Sequence, residues 1–231
     1  MEPVATHLAA VRTRIAAAAA RAGRDPAGIR LVVVSKTQPA GTILAAAEAG
    51  QVDFGENYLQ EALPKLDALA GRPLQWHFIG ALQSNKTRTV AERFHWLHTL
   101  DRESLARRLS DQRPAALPPL QVCLQVNVSG ESSKGGVAPE RVAELARAVV
   151  ALPRLKLRGL MTIPAPAKNP EAQRAPFRQL RGMLERLNAE GLGLDTLSMG
   201  MTDDMDAAIA EGSTMVRIGT AIFGPRGPKM A

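Results

Sequence analysis

Branched apolar residues recur along this chain in short blocks, and the stretches between the blocks carry helical spacing. The clearest block is Ile29-Arg30-Leu31-Val32-Val33-Val34-Ser35-Lys36. Its unbroken apolar centre predicts a strand covered on both faces, as in a parallel sheet. Comparable blocks predict strands at 30–35, 52–55, 75–79, 96–99, 121–128, 156–163, 196–199 and 215–219. Between them, apolar residues return once per helical turn and predict helices at 41–49, 103–110, 139–151, 171–190 and 203–211. The helix after the third strand is weakly marked and expected to be short. Ahead of the first strand, Val4, Leu8, Val11, Ile15 and Ala22 predict an amphipathic lead-in helix over 2–22.

Eight strands alternating with helices in right-handed succession close into an α/β fold of one domain, a (β/α)8 barrel over 1–231. The structural alternative is an open doubly wound sheet. That fold usually carries a glycine-rich turn after its first strand, where this chain has Ser35-Lys36-Thr37-Gln38-Pro39. The proline-rich segments at 117–119 and 164–170 are too short to part domains and predict loops.

Composition narrows the setting. Aromatics make up 3% of the 231 residues against 45% hydrophobic, so Ala, Val, Leu and Ile must build the core. Cys123 is the lone cysteine and lies inside a strand block, which excludes an intrachain disulfide and fits a reducing compartment. No stretch approaches the ~18 uninterrupted apolar residues of a membrane span, and no signal-peptide core opens the chain. A soluble cytoplasmic protein without a membrane partner, and a monomer, is expected. The net charge of +7 invites a nucleic-acid reading. Its arginines are scattered along helices, however, and no stacking aromatics accompany them, so an anionic small molecule is the expected partner.

Barrel chemistry collects at the carboxyl ends of strands. Lys36 ends the first strand, and partial burial of such a lysine frees its amine to condense with a carbonyl. Of the seven lysines, only Lys36 and Lys156 lie in strand-like blocks. Asn57, His77 and Asn127 stand near other strand ends; His77, after Trp76, reads as a hydrogen-bonded core histidine. Ser198, Gly200, Gly219 and Thr220 place small residues and hydroxyls after the last two strands, where barrels often hold phosphate. Two plain glycine turns remain the alternative there. Asp203 and Asp204 would repel a phosphate, so they are expected to cap the next helix and face away. Arg217, within Met215-Val216-Arg217-Ile218, needs an acceptor. A ring nitrogen of a cofactor or a barrel carboxylate such as Glu56 or Asp53 would serve. Four histidines and one cysteine give no metal-ligand spacing. A lysine that forms an imine, an arginine at a ring nitrogen and a phosphate cup together describe pyridoxal 5′-phosphate.

With those residues in view, the chain closely resembles the pyridoxal phosphate homeostasis protein family, which is related to the amino-terminal barrel of alanine racemase. The matching stretches are Val33–Thr37, Phe54–Tyr58, Trp76–Gly80, Leu82–Lys86, Leu197–Met201 and Val216–Gly224. The resemblance implies an alanine-racemase-like barrel without the added β-domain. It also implies that Lys36 carries the cofactor as a covalent imine and that Arg217 faces the pyridine nitrogen. Ser198, Gly200, Gly219 and Thr220 would hold the phosphate, with Asn57, His77 and Met199 lining the pocket. Ala81 and Thr202 depart from the usual pattern without altering a group assigned to the cofactor.

The implied role is non-enzymatic storage or delivery of pyridoxal phosphate within the cell, with apo pyridoxal-phosphate enzymes as partners. An amino-acid racemase is the alternative, but a two-base racemase needs a second acid/base opposite the lysine, and Tyr58 is the chain's only tyrosine. A lysine Schiff-base aldolase acting on a sugar phosphate would need neither the cofactor nor Arg217 in that role.

Overall fold

The computed structural model describes residues 4–130, 135–167 and 169–224. Helix α1 (Val4–Arg21) leads into β1 (Arg30–Val34), followed by α2 (Ala40–Glu48), β2 (Asp53–Glu56), α3 (Leu59–Ala68) and β3 (Gln75–Phe78). Then come α4 (Thr87–Arg93), β4 (Trp96–Leu100), α5 (Glu103–Gln112), β5 (Leu120–Gln125) and α6 (Val142–Val150). The series ends with β6 (Leu155–Met161), α7 (Pro170–Ala189), β7 (Thr196–Ser198), α8 (Met205–Ala210), β8 (Met215–Ile218) and the single turn α9 (Thr220–Phe223). All neighbouring strands pair in parallel, and β1 pairs with both β2 and β8, so the sheet closes into the expected barrel.

Strand alternation divides the side chains between two environments. Leu31, Val33, Phe54, Val216 and Ile218 point outward into the layer shared with the helices. Val32, Trp96, Cys123, Met161 and Met215 form a separate buried cluster within the barrel. The strands therefore read as unbroken apolar blocks because both faces are covered.

One helix exceeds what periodicity marked, and the short helix expected after the third strand is found. Helix α3 contains Pro64, which hides its pattern, and α4 has only 7 residues. Strand β5 stops at Gln125, short of the expected 128; beyond it Val126 bridges to Val137, and Asn127 belongs to the following loop. Of the lead-in helix expected over 2–22, residues 2 and 3 lie outside the described residues.

Helix α1 packs on α2, α8 and α9, across the seam where β8 meets β1. Its arginines serve that packing. Arg12 donates to the carbonyls of Ala49 and Gly50 at the end of α2, and Arg24, just after α1, donates to Ile209 O in α8. Cations at carboxyl-terminal carbonyls satisfy orphan acceptors and complement the helix dipole. Arg14 and Arg21 both pair with Asp206. These contacts give several of the scattered arginines a structural role. Among the described residues, no helix is long and apolar enough to cross a membrane, and no group of His, Cys, Asp or Glu could hold a metal ion.

Glu211, 1% exposed after α8, receives Arg174 (2.7 Å), Arg178 (3.1 Å) and Arg181 (3.4 Å) from α7. Burial acts to raise its pKa, but the hydrogen bonds from Arg174 and Arg178 and their charges outweigh it and leave the value below 4.5. A carboxyl whose pKa is lower folded than unfolded contributes stability above its unfolded value, lost as pH falls through the folded one. Glu211→Gln should therefore lower stability by about 1–2 kcal/mol at pH 7. Thermal melts of the two proteins should converge below the ordinary carboxylate range; a gap that persists at pH 2–3 contradicts the ionic contribution.

Candidate functional site

The turn after β1 is fastened on both sides of Lys36. Ser35 faces outward, and its hydroxyl donates to Oε1 of Glu56, at the end of β2, at 2.6 Å. Lys65, buried in α3, donates to both Glu56 oxygens (2.9 and 3.0 Å) and to the Ser35 carbonyl (2.9 Å). Burial raises the pKa of Glu56, opposed by the Ser35 hydrogen bond and the Lys65 charge. On the other side, Thr37 takes φ 66°, an unusual conformation for a β-branched residue, and its N–H donates to Glu61 Oε2 at 3.0 Å. The Gln38 N–H closes the turn on Ser35 O at 3.0 Å. Since Ser35 points outward, alternation turns Lys36 inward over the barrel mouth. It is half-buried and lines a cavity of about 220 Å³.

Arg217 reaches the same cavity from β8. It is 3% exposed, and desolvation lowers its pKa to about 10, with Asp204 and Cys123 acting slightly the other way, so it remains a cation at neutral pH. Among the described residues it has no carboxylate within ion-pair distance. Its Nη1 donates to Ser198 Oγ at 2.7 Å and its Nη2 to Thr162 O at 2.9 Å. The two candidate carboxylates are committed elsewhere: Glu56 to Lys65, and Asp53 to Arg30 and His77.

Gly219 and Thr220 line the cavity where α9 begins. A side chain at Gly219 would put its Cβ 3.1 Å from Val34 O, tight against β1. Gly200 takes φ +98°, where a Cβ would meet that of Ala208 at 2.6 Å; its carbonyl accepts the Arg217 N–H at 3.0 Å. It therefore supports the strand carrying Arg217. Thr202 and Asp203 also line the cavity. Asp203 does not face away as expected. Asp204 stands at the N-cap position just before α8, but its side chain caps nothing in that helix: its Oδ1 instead accepts the Met201 N–H at 2.5 Å.

The remaining sequence candidates lie apart from that wall. Asn57 lines a separate cavity of about 540 Å³ with Tyr58, Gly80 and Lys86. Gly80 is required there, since a Cβ on it would sit 1.9 Å from Asn57 O. Ser198 is fully buried beneath Arg217, its hydroxyl held by Arg217 and by His98 Nδ1 at 2.8 Å. Its side chain is thus committed below the cavity, and the hydroxyl-bearing residues on the wall are Thr37, Thr202 and Thr220. Met199 is fully buried in the layer between barrel and helices. His77 is a hydrogen-bonded core histidine, bound to His98 and Asp53 at 2.9 Å each and stacked on Trp96. Lys156, the other strand lysine, is exposed near the start of β6, at the opposite end of the barrel from Lys36. Lys65, Glu56 and Thr202 were missed as parts of the site.

The donor set suits a phosphorylated pyridine aldehyde. The wall beside Lys36 offers one amine, one donor-only cation and the three threonines 37, 202 and 220 beside the Asp203 carboxylate; in the other cavity, Asn57 Oδ1 is buried with no hydrogen-bond partner.

The alanine racemase N-terminal domain family matches residues 6–227. The pyridoxal phosphate homeostasis protein of Pseudomonas aeruginosa is 61% identical over 226 residues, covering 98% of this chain and 97% of that one. The protein of the same name from Escherichia coli K12 is 55% identical over 229 residues, covering 98% of each. Among solved structures, PipY of Synechococcus elongatus, with pyridoxal phosphate bound, has a TM-score of 0.83 at 34% identity, covering 96% of this chain and 100% of its own. Alanine racemase of Corynebacterium glutamicum shares the fold at 19% identity and TM-score 0.69, with 97% of this chain and 63% of that one covered. The barrel thus accounts for all of one relative and only part of the other, and the chain belongs to the alanine racemase N-terminal domain family, among its pyridoxal phosphate homeostasis proteins.

Proposed function

We propose that this protein binds pyridoxal 5′-phosphate as an imine on Lys36 and stores or delivers it in the cytoplasm, without turning over amino acids. The observation that carries the reading is the meeting of Lys36 and the unpaired cation Arg217 on one cavity. Condensation of the Lys36 amine with the aldehyde releases one water and leaves the cofactor anchored. Gly219, Thr220 and Thr202 would hold the phosphate, and Asn57 would line the pocket. The bound cofactor would supply an electron sink whose strength depends on protonation of its ring nitrogen. Arg217 only donates, so it accepts no proton from that nitrogen and favours the unprotonated, weaker sink. Tyr58 is 57% exposed and lines a different cavity from Lys36, so it is not placed as the second acid/base that a two-base racemase needs.

Borohydride reduction of the purified holo-protein should fix the cofactor's mass on the peptide bearing Lys36. Lys36→Ala should abolish the adduct with the fold intact, since the half-buried side chain adds little packing; an undiminished adduct contradicts the assignment.

Arg217→Met and Arg217→Glu should both alter the absorption band, with glutamate the more harmful. A carboxylate at that position would face Ser198 Oγ and the Thr162 carbonyl, both of which now accept from Arg217. Unchanged spectra and affinity in both variants would make Arg217 a purely structural residue.

Incubated with L- or D-alanine, the holo-protein should racemise neither at an enzymatic rate, roughly 1–1000 per second. Mixed with an apo pyridoxal-phosphate enzyme, it should restore that enzyme's activity. Racemisation at such rates overturns the binding-protein reading, and failure to restore activity removes delivery.

A further inference from the structure

Beneath the cavity, polar side chains join end to end through the barrel core. Arg217 Nη1 meets Ser198 Oγ at 2.7 Å, Ser198 Oγ meets His98 Nδ1 at 2.8 Å, and His98 Nε2 meets His77 Nδ1 at 2.9 Å. His77 Nε2 then meets Asp53 Oδ1 at 2.9 Å. Ser198, His98 and His77 are fully buried. Asp53, at the start of β2, pairs with Arg30 at 3.3 Å and lines a separate cavity of about 380 Å³ at the amino-terminal end of the barrel. The chain of contacts therefore runs from one end of the barrel to the other.

Its chemistry permits one direction only. A guanidinium donates and a carboxylate accepts, while a neutral imidazole has one donor and one acceptor nitrogen. Burial, as the largest cause, lowers both histidine pKa values, against the pull of Asp53 on His77 and with added repulsion from His77 on His98. Both rings are thus neutral at physiological pH. If His98 donated from Nδ1, His77 would have to donate from its own Nδ1. Its bare Nε2 would then face the Asp53 carboxylate at 2.9 Å, acceptor against acceptor. With both rings protonated at Nε2 every contact is a hydrogen bond: Arg217 to Ser198, Ser198 to His98, His98 to His77, His77 to Asp53.

We propose that this directional chain positions the cofactor site from below, with His98, His77 and Asp53 acting through Ser198 to hold Arg217 aimed at the cavity. The proposal rests on the cofactor reading, since it assigns Arg217 the ring as its target. Ser198 Oγ, whose proton is drawn toward His98, presents its lone pairs to the guanidinium. Asp53 and Arg30 anchor the far end, so residues remote from the cofactor govern the orientation of the group that meets its ring.

Nitrogen-15 NMR of histidine-labelled, cofactor-free protein tests the direction without any cofactor. His77 and His98 should both appear as neutral rings protonated at Nε2; an Nδ1-protonated or doubly protonated ring at either position overturns the chain. Pyridoxal phosphate titration then tests positioning. His98→Phe keeps a ring but cuts two contacts, and should weaken affinity roughly tenfold, about one buried hydrogen bond, with a shifted absorption band. Asp53→Leu should act in the same direction. Asp53→Asn, whose amide oxygen still accepts from His77, should restore near wild-type values. Circular dichroism melts identify the folded variants, and if His98→Phe does not fold, the Asp53 pair decides. Folded variants with unchanged band and affinity refute positioning. Absence of a reducible adduct on Lys36 in the wild type would instead defeat the cofactor reading, leaving the NMR result to stand on its own.

Discussion

A desolvated guanidinium with no carboxylate in ion-pair distance among the described residues is the constraint on which the proposed site depends. Burying an arginine among strands is costly unless acceptors surround it, and here they are a serine hydroxyl and a main-chain carbonyl. Neutral acceptors leave the cation without a direct ion pair, with only the more distant charge of Asp204 opposing its desolvation, and it faces the cavity. A carboxylate in their place would satisfy Arg217 and remove its reason to meet a ligand. Diversion of Glu56 to Lys65 and of Asp53 to the barrel floor therefore matters as much as the arginine itself.

The second requirement is a fixed place for Lys36. The Ser35–Glu56–Lys65 cluster lies behind the strand, and Glu61 holds the turn in front. Removing one member of a buried ion pair strands its partner, which is more damaging than the pair is stabilising. The two lysines thus divide the work by direction: Lys65, from the helix, fixes the main chain, and Lys36, from the strand end, enters the cavity.

The barrel was legible because its strands are apolar on both faces and its helices return once per turn, signals that survive without tertiary information. Lys36 and Arg217 stood out as candidates for the same reason, as charges in blocks that are mostly apolar. Ser198 was expected in a phosphate cup because it follows a strand, whereas its hydroxyl is engaged by Arg217 and His98. Period-two alternation from Leu197 could have turned it into the barrel and Met199 out of it, as found. Lys65 carried no such signal: it lies in a helix masked by Pro64, and its partner Glu56 is joined to it only by the packing of α3 on the sheet. The chain from Ser198 to Asp53 draws on four different strands, and only barrel closure brings them together.

The central claim is that Arg217 keeps the cofactor's ring nitrogen unprotonated, which makes the site a holder of pyridoxal phosphate in preference to a catalyst. Nitrogen-15 NMR of the protein loaded with ring-labelled cofactor reads that nitrogen directly. An unprotonated pyridine signal throughout pH 6–9, moving toward the protonated position only when Arg217 is replaced by glutamate, is the result this account requires. A pyridinium signal in the wild-type protein at neutral pH would contradict it.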